Sequence, residues 1–110
     1  YDANAIHGMV YYIDAYENLV TNIPQTLFEQ ICAGRKFTIK FSGKYRINKI
    51  QKSYQDVPSS EMLALFGTHG FLEIAINYDK ASSLLGMRHD SSVDIYFDDE
   101  KDFTKENSLF

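Results

Sequence analysis

The sequence predicts a small, mainly β domain: an antiparallel barrel or sandwich that carries two short helices. Its 110 residues are the size of one domain, and 45% of them are hydrophobic. Aromatic residues make up 15% of the chain, and aromatic side chains favour strands. The apolar residues recur in short alternating runs between turn residues, as in antiparallel sheets. The helical runs are too few and too short to be the crossovers of a parallel sheet.

Seven segments have the composition or the alternation of a strand. Two of them flank Ser42-Gly43 and form a predicted hairpin. Another two flank the sequence "GTHG", a predicted turn with glycine at both ends. The predicted strands are 8–14, 19–23, 37–41, 45–47, 62–66, 71–76 and 93–97.

Two segments have the pattern of short helices. The first has Asn22 as a possible cap, ends at Gly34 and repeats apolar residues at helical spacing, namely Leu27, Phe28, Ile31 and Cys32. The second covers 80–85, with Asp79 as its predicted cap and Gly86 as its end. Residues 1–97 are therefore expected to form the β domain, and the acidic segment 98–110 a solvated C-terminal tail.

Charge and hydropathy exclude several classes of partner. The net charge of −4 argues against nucleic acid, because phosphate binding needs a basic patch. Lys and Arg accumulate between Arg35 and Lys52, but they alternate with apolar residues and so indicate the solvent face of strands. No apolar run approaches the roughly 18 residues of a membrane span. We expect no nucleic-acid or membrane partner and a cytoplasmic location.

The chain contains no self-contained catalytic motif, phosphate loop or metal-binding spacing. Its three histidines lie far apart, and the single Cys32 is a predicted core residue that cannot form an internal disulfide. The sequence thus predicts no metal, no cofactor and no catalytic residue. Because it begins with Tyr1 and lacks an initiator Met, it is expected to be a piece of a longer protein.

A polar group interrupts the first apolar run, where Asp14, Tyr16 and Asn18 stand at alternate positions. A carboxylate, an aromatic face and an amide suit a small polar aromatic ligand such as a purine. An Asx-type turn that only links two strands explains the same residues. Composition alone favours the turn, and both interpretations stay open at this point.

A second candidate stretch is "GTHGFLEIAIN", residues 67–77. Thr68 and His69 place donors at the turn, where they are able to hold a carboxylate. Glu73 stands within an apolar strand and is either on its solvent face or paired. The solvent face is the commoner situation and is the prediction.

Taken together, three stretches resemble one protein family. They are "GMVYYIDAYENLVTNI", "SYQDVPSSEMLALFGTHGFLEIAINYDKASSLLG" and the final "VDIYF". In this order they are similar to the C-terminal domain of the S-adenosylmethionine (SAM) hydroxide adenosyltransferases, relatives of the bacterial fluorinase and chlorinase. The resemblance covers about residues 6 to 97.

The resemblance implies a closed or nearly closed Greek-key β-barrel attached to a larger N-terminal α/β domain. It implies homotrimers, in which SAM lies between the N-terminal domain of one subunit and the C-terminal domain of its neighbour. Water or hydroxide attacks C5′ of the ribose, so that SAM yields adenosine and methionine. Because the activating groups belong to the N-terminal domain, this chain alone is expected to be inactive. The alternative is a non-enzymatic barrel for oligomerisation or ligand sensing.

The resemblance also implies roles for individual residues on the adenine side of SAM. Tyr16 would stack on one face of adenine and Tyr54 would cover the other. Asn18 would bind an edge of the base, and the backbone at Tyr78 would contact its amino group.

On the methionine side, Asp14 would hold the ammonium group, and Thr68 would bind the carboxylate with His69 beside it. Glu73 fits the hydrolase branch of the family rather than the halogenases. Glu17 departs from the family pattern, which has Gly there. If that position has a positive φ, Glu costs on the order of 1 kcal/mol.

Overall fold

Seven antiparallel strands form one sheet in the computed structural model, which describes residues 3–101, with side chains as far as Asp98. The strands are β1 (Ala5–Ile13), β2 (Leu19–Pro24), β3 (Arg35–Phe41), β4 (Tyr45–Ile47), β5 (Met62–Phe66), β6 (Phe71–Ile76) and β7 (Ser92–Lys101). Their order in space is β4-β3-β7-β1-β2-β6-β5. Two short helices, α1 (Gln25–Cys32) and α2 (Ala81–Leu85), complete the predicted mainly β architecture.

The sheet curls into a nearly closed barrel around one apolar core. The segment after β4 runs alongside β5, where Ile50 forms a parallel bridge with Ala64 and the Gln51 N–H donates to the Ala64 carbonyl at 2.8 Å. The largest fully buried apolar side chains of this core come from strands all round the sheet: Leu19, Ile23, Ile39, Leu72, Ile74, Ile95, Val10 and Val93. The predicted barrel is therefore confirmed.

Long connections join strands that are not neighbours. β2 leads through α1 to β3, and β6 leads through α2 to β7, whereas β3–β4 and β5–β6 are hairpins. In the described part of the chain, no helix combines the length and hydrophobicity that crossing a membrane requires.

Both predicted helix caps are wrong. Asn22 lies inside β2, where its side-chain oxygen accepts the Met9 N–H at 3.0 Å, and Pro24 occupies the cap position of α1. Pro24 suits the site because it has no N–H to leave unpaired. Asp79 precedes the cap position of α2, which is Lys80, and its side chain accepts the adjacent backbone N–H. The predicted end of α2 at Gly86 is confirmed, with φ of 66°.

Strand β7 continues four residues beyond its predicted end. Its pairing with β3 reaches Lys101, which lies opposite Arg35, so residues 98–101 are strand rather than tail. The polar composition of residues 98–101 gave no strand pattern in the sequence. Backbone pairing forms the strand there, and it does not require apolar side chains. Residues 102–110 of the predicted tail lie outside the described residues.

The outer face of the β5–β6 hairpin is covered rather than solvated. Leu63, Leu65 and Ala75 form a second apolar cluster on that face, against which Tyr54 and Val57 pack. The segment that covers this face, called the covering segment, lies between β4 and β5 (residues 48–61) and contains a 3₁₀ turn, Tyr54–Asp56. This cover removes part of the outer face of β6 from solvent.

Candidate functional site

A cavity of about 620 Å³ opens between the turn after β1, the covering segment and the end of β6. Its volume is in the range of small-molecule sites. Five of the eight predicted site residues line it: Asp14, Tyr16, Asn18, Tyr54 and Tyr78. Thr68, His69 and Glu73 are outside its lining.

The Asx-type turn that the sequence left open is present. Oδ1 of Asp14 accepts the backbone N–H groups of Tyr16 and Asn18, both at 2.9 Å. Oδ2 accepts the Asn18 side-chain amide at 3.2 Å. The turn therefore fixes the backbone at Tyr16 and the direction of the Asn18 side chain, and it does not exclude a ligand because the same residues line the cavity.

Only neutral groups hold the Asp14 carboxylate. Among residues 3–98, no Lys, Arg or His lies within salt-bridge distance of it. Lys80 also lines the cavity, but its ammonium group is 4.0 Å from the carboxylate of Glu17. The cavity thus offers a carboxylate that has no cationic partner among the described residues.

Two aromatic side chains of the cavity are unusually exposed. Tyr16 is 77% exposed and Tyr78 is 80% exposed. Tyr78 has a φ of 60°, so the chain turns sharply just after β6 and presents the ring at the cavity. The resemblance assigned only the backbone of this residue, and no sequence signal distinguished its ring from that of any other surface Tyr.

Glu17 explains how the turn is held. Its φ is 62°, which confirms that this position adopts the left-handed conformation in which Gly is favoured. Its carbonyl accepts the Ser82 N–H at 3.0 Å, and its carboxylate accepts both the N–H and the hydroxyl of Ser83. Glu17 thereby binds the first turn of α2, whose own cap position has no side-chain hydrogen bond. No local pattern in the sequence indicated this contact.

Glu73 is buried and paired, so the predicted solvent-face position is wrong. Its residue is 4% exposed, and Oε1 accepts the Tyr54 hydroxyl at 2.5 Å. Strand alternation did place Glu73 opposite the core residues Leu72 and Ile74, but the covering segment shields that face. Burial, and then the hydrogen bond to Glu73, raise the pKa of Tyr54, so its hydroxyl remains a donor at neutral pH.

Thr68 and His69 occupy the exposed turn between β5 and β6, as the sequence predicted. The Gly70 N–H donates to the Gly67 carbonyl at 2.9 Å and closes this turn. His69 Nδ1 accepts the Phe71 N–H at 3.1 Å, and Nε2 lies 3.5 Å from Oε2 of Glu73. The turn is therefore connected to the cavity through Glu73 and Tyr54.

Comparison with known proteins finds a family model that matches most of the chain. Residues 8–94 match the family model described as "SAM hydroxide adenosyltransferase C-terminal domain". The chain belongs to this family. The SAM hydroxide adenosyltransferases are enzymes.

Solved structures show the same fold in longer chains. An uncharacterized conserved protein from Thermotoga maritima has a TM-score of 0.73 and 27% identity, over 87% of this chain and 37% of its own. A conserved hypothetical protein from Thermus thermophilus has a TM-score of 0.59 and 20% identity, over 83% of this chain and 34% of its own. The latter supports the fold alone. No curated protein matches the chain significantly.

Proposed function

We propose that this chain supplies the adenine- and methionine-binding side of a SAM hydrolase, which converts SAM and water or hydroxide to adenosine and methionine. The observation that supports it best is the cavity itself. It combines a carboxylate that lacks a cationic partner among the described residues with two exposed aromatic rings, in a chain of the SAM hydroxide adenosyltransferase family.

The methionine end of SAM carries an ammonium and a carboxylate. Asp14 is the proposed partner of the ammonium, and a charge-assisted hydrogen bond of this kind contributes about 1.5–3 kcal/mol. Thr68 is the proposed donor to the carboxylate, with His69 beside it. Both lie on an exposed turn, where a ligand is able to approach them.

The adenine end needs aromatic faces and an edge of donors and acceptors. Tyr16 and Tyr54 are the proposed stacking partners, and Tyr78 contributes its backbone and its exposed ring. The Asn18 amide nitrogen donates to Asp14, so its carbonyl oxygen is the atom assigned to the adenine amino group. One short turn would then recognise both ends of the substrate.

In the proposed reaction, the oxygen of water or hydroxide forms a bond to C5′ while the C5′–S bond breaks. The electron pair of that bond stays on sulfur, so methionine leaves with a neutral thioether, and when the nucleophile is water its proton is released to solvent. The sulfonium is already a good leaving group, and catalysis is therefore mainly positioning and the exclusion of other water. The proposed reaction needs no metal or cofactor.

The groups that activate the attacking oxygen are assigned to an N-terminal domain of a neighbouring subunit in a homotrimer. The chain spans only about a third of the two structures that share its fold, 37% and 34%, which is compatible with a further domain. The isolated chain should therefore be inactive. Turnover by this chain alone would show that the assignment of the catalytic groups to another domain is wrong.

The test is chromatography of SAM incubated with the full-length protein, with and without halide. Adenosine and methionine are expected in both cases, since Glu73 fits the hydrolase branch. A 5′-halo-5′-deoxyadenosine formed only with halide would make the protein a halogenase. The absence of both product and binding would leave a barrel whose polar turn is only structural.

A further inference from the structure

We propose that Glu73 is a positioning residue, which lies outside the cavity lining and orients the Tyr54 ring that forms part of it. The proposal rests on the proposed function, because it concerns how the same cavity holds the nucleobase. It also adds a second role for the β5–β6 turn, whose His69 supports Glu73 from the other side.

Stability alone does not account for a carboxylate at position 73. Its neighbours on the outer face of the hairpin are Leu63, Leu65 and Ala75, a set that an apolar side chain would extend. Burying a carboxylate there is costly unless it is paired, and apolar replacements of buried ionic groups are often neutral or stabilising. What the carboxylate adds is a directional acceptor for the Tyr54 hydroxyl at 2.5 Å.

Among the described residues, the hydrogen bond of the Tyr54 hydroxyl is the one to Glu73. Tyr54 begins the 3₁₀ turn of the covering segment and is only half-buried, with one side on the apolar cluster and the other on the cavity. A bond from its hydroxyl to a strand residue fixes the far end of the ring. The ring then presents a defined face to the ligand, which lowers the ordering cost of binding.

His69 and Gly67 fix the carboxylate in turn. Nδ1 of His69 accepts the Phe71 N–H, so in the neutral ring the proton is on Nε2, the atom that faces Glu73. A Cβ at position 67 would lie 2.6 Å from His69 Nε2 and 3.0 Å from Glu73 Oε2. Gly67 therefore provides the space in which this pair lies.

The experiment is a double-mutant cycle on the full-length protein, with adenosine as the probe and calorimetry as the readout. Glu73→Leu and Tyr54→Phe should each weaken adenosine binding about tenfold, the scale of one lost hydrogen bond. The double variant should lose no more than either single variant, because Glu73 acts through the Tyr54 hydroxyl. Glu73→Gln keeps an acceptor and should retain most of the affinity.

Two further variants separate positioning from general damage. Gly67→Ala should weaken adenosine binding although Gly67 is outside the cavity lining. Thr21→Val removes a fully buried hydroxyl that donates to the Leu72 carbonyl at 2.8 Å, and it should lower stability without changing adenosine affinity. If Glu73→Leu weakened adenosine binding by the same factor in the wild type and in the Tyr54→Phe variant, the two effects would be additive. That result would overturn the proposal.

A measurement without ligand distinguishes a failure of this proposal from a failure of the proposed function. In NMR spectra of protein labelled on tyrosine, the Tyr54 ring signals should shift in Glu73→Leu and in Gly67→Ala, but not in Thr21→Val. Unchanged Tyr54 signals would refute the positioning role even if adenosine binds. Shifted signals in a protein that binds no adenosine would support the contact and refute the proposed function instead.

Discussion

The carboxylate of Glu17 accepts a hydrogen bond from the backbone N–H of Ser83, 66 residues further along the chain, at 3.1 Å. Glu17 lies in the turn that carries Asp14 and Tyr16, and Ser83 lies in the first turn of α2. One side chain therefore stabilises a helix end and fastens the candidate ligand-binding turn to the rest of the domain.

Glu17→Ala should destabilise the domain by about 1–2 kcal/mol, the usual cost of a lost helix cap. Glu17→Gly loses the same contact, but it relieves the positive φ of 62°, so it should cost about 1 kcal/mol less than Ala. Urea denaturation of the three proteins measures the difference. Equal stability of all three would show that the contact with α2 contributes nothing.

Asp14→Asn should weaken SAM binding about tenfold to a hundredfold, because it removes the charge assigned to the substrate ammonium. Adenosine has no ammonium, and its affinity should change little, since Asn keeps an oxygen that accepts the N–H groups of the turn. Calorimetric titration of the full-length protein with both ligands makes the comparison. Equal losses for the two would assign Asp14 to the turn alone.

Tyr16→Ala should weaken adenosine binding by about 1–3 kcal/mol, as expected for a lost stacking partner. Because the Tyr16 side chain is 77% exposed, its removal should change the free energy of unfolding by less than about 0.5 kcal/mol. Tyr16→Phe keeps the ring and serves as the matched control, with nearly unchanged affinity. If Tyr16→Phe weakened adenosine binding as much as Tyr16→Ala, the hydroxyl rather than the ring would make the contact.

The covering segment should loosen at acidic pH. Asp56 accepts the backbone N–H groups of Ser53 and Lys52 at 3.0 and 3.1 Å. These two bonds lower the pKa of Asp56 below its ordinary value of 3.8, and the bond from Ser53 has the larger effect. A lowered folded-state pKa means stabilisation that is complete above the ordinary value and disappears as the pH falls through the folded-state pKa.

The backbone amide signals of Ser53 and Lys52, followed by NMR from about pH 6 down to about pH 2, should therefore move together in one titration. Asp56→Asn should abolish that titration while leaving the rest of the barrel unchanged. If the amides titrate identically in the variant, the transition belongs to another group.

Local sequence patterns determined much of this fold. Alternating apolar residues and turn residues located all seven strands, and Gly86 located the end of α2. The motif around Asp14 and Asn18 indicated the family, which the match over residues 8–94 confirmed. These features were predictable because each depends on neighbours within a few positions, such as the Asx turn or the alternation of a strand.

Contacts across long stretches of chain were decided only by the tertiary structure. Whether the outer face of β6 is exposed to solvent depends on a segment about 19 residues earlier in the chain, from which Tyr54 donates a hydrogen bond to Glu73. The cap of α2 comes from Glu17 instead of the adjacent Asp79, and residues 98–101 join β7 because its pairing with β3 continues as far as Lys101, opposite Arg35. Alternation determines which side of a strand a residue is on, and only the folded chain determines what covers that side.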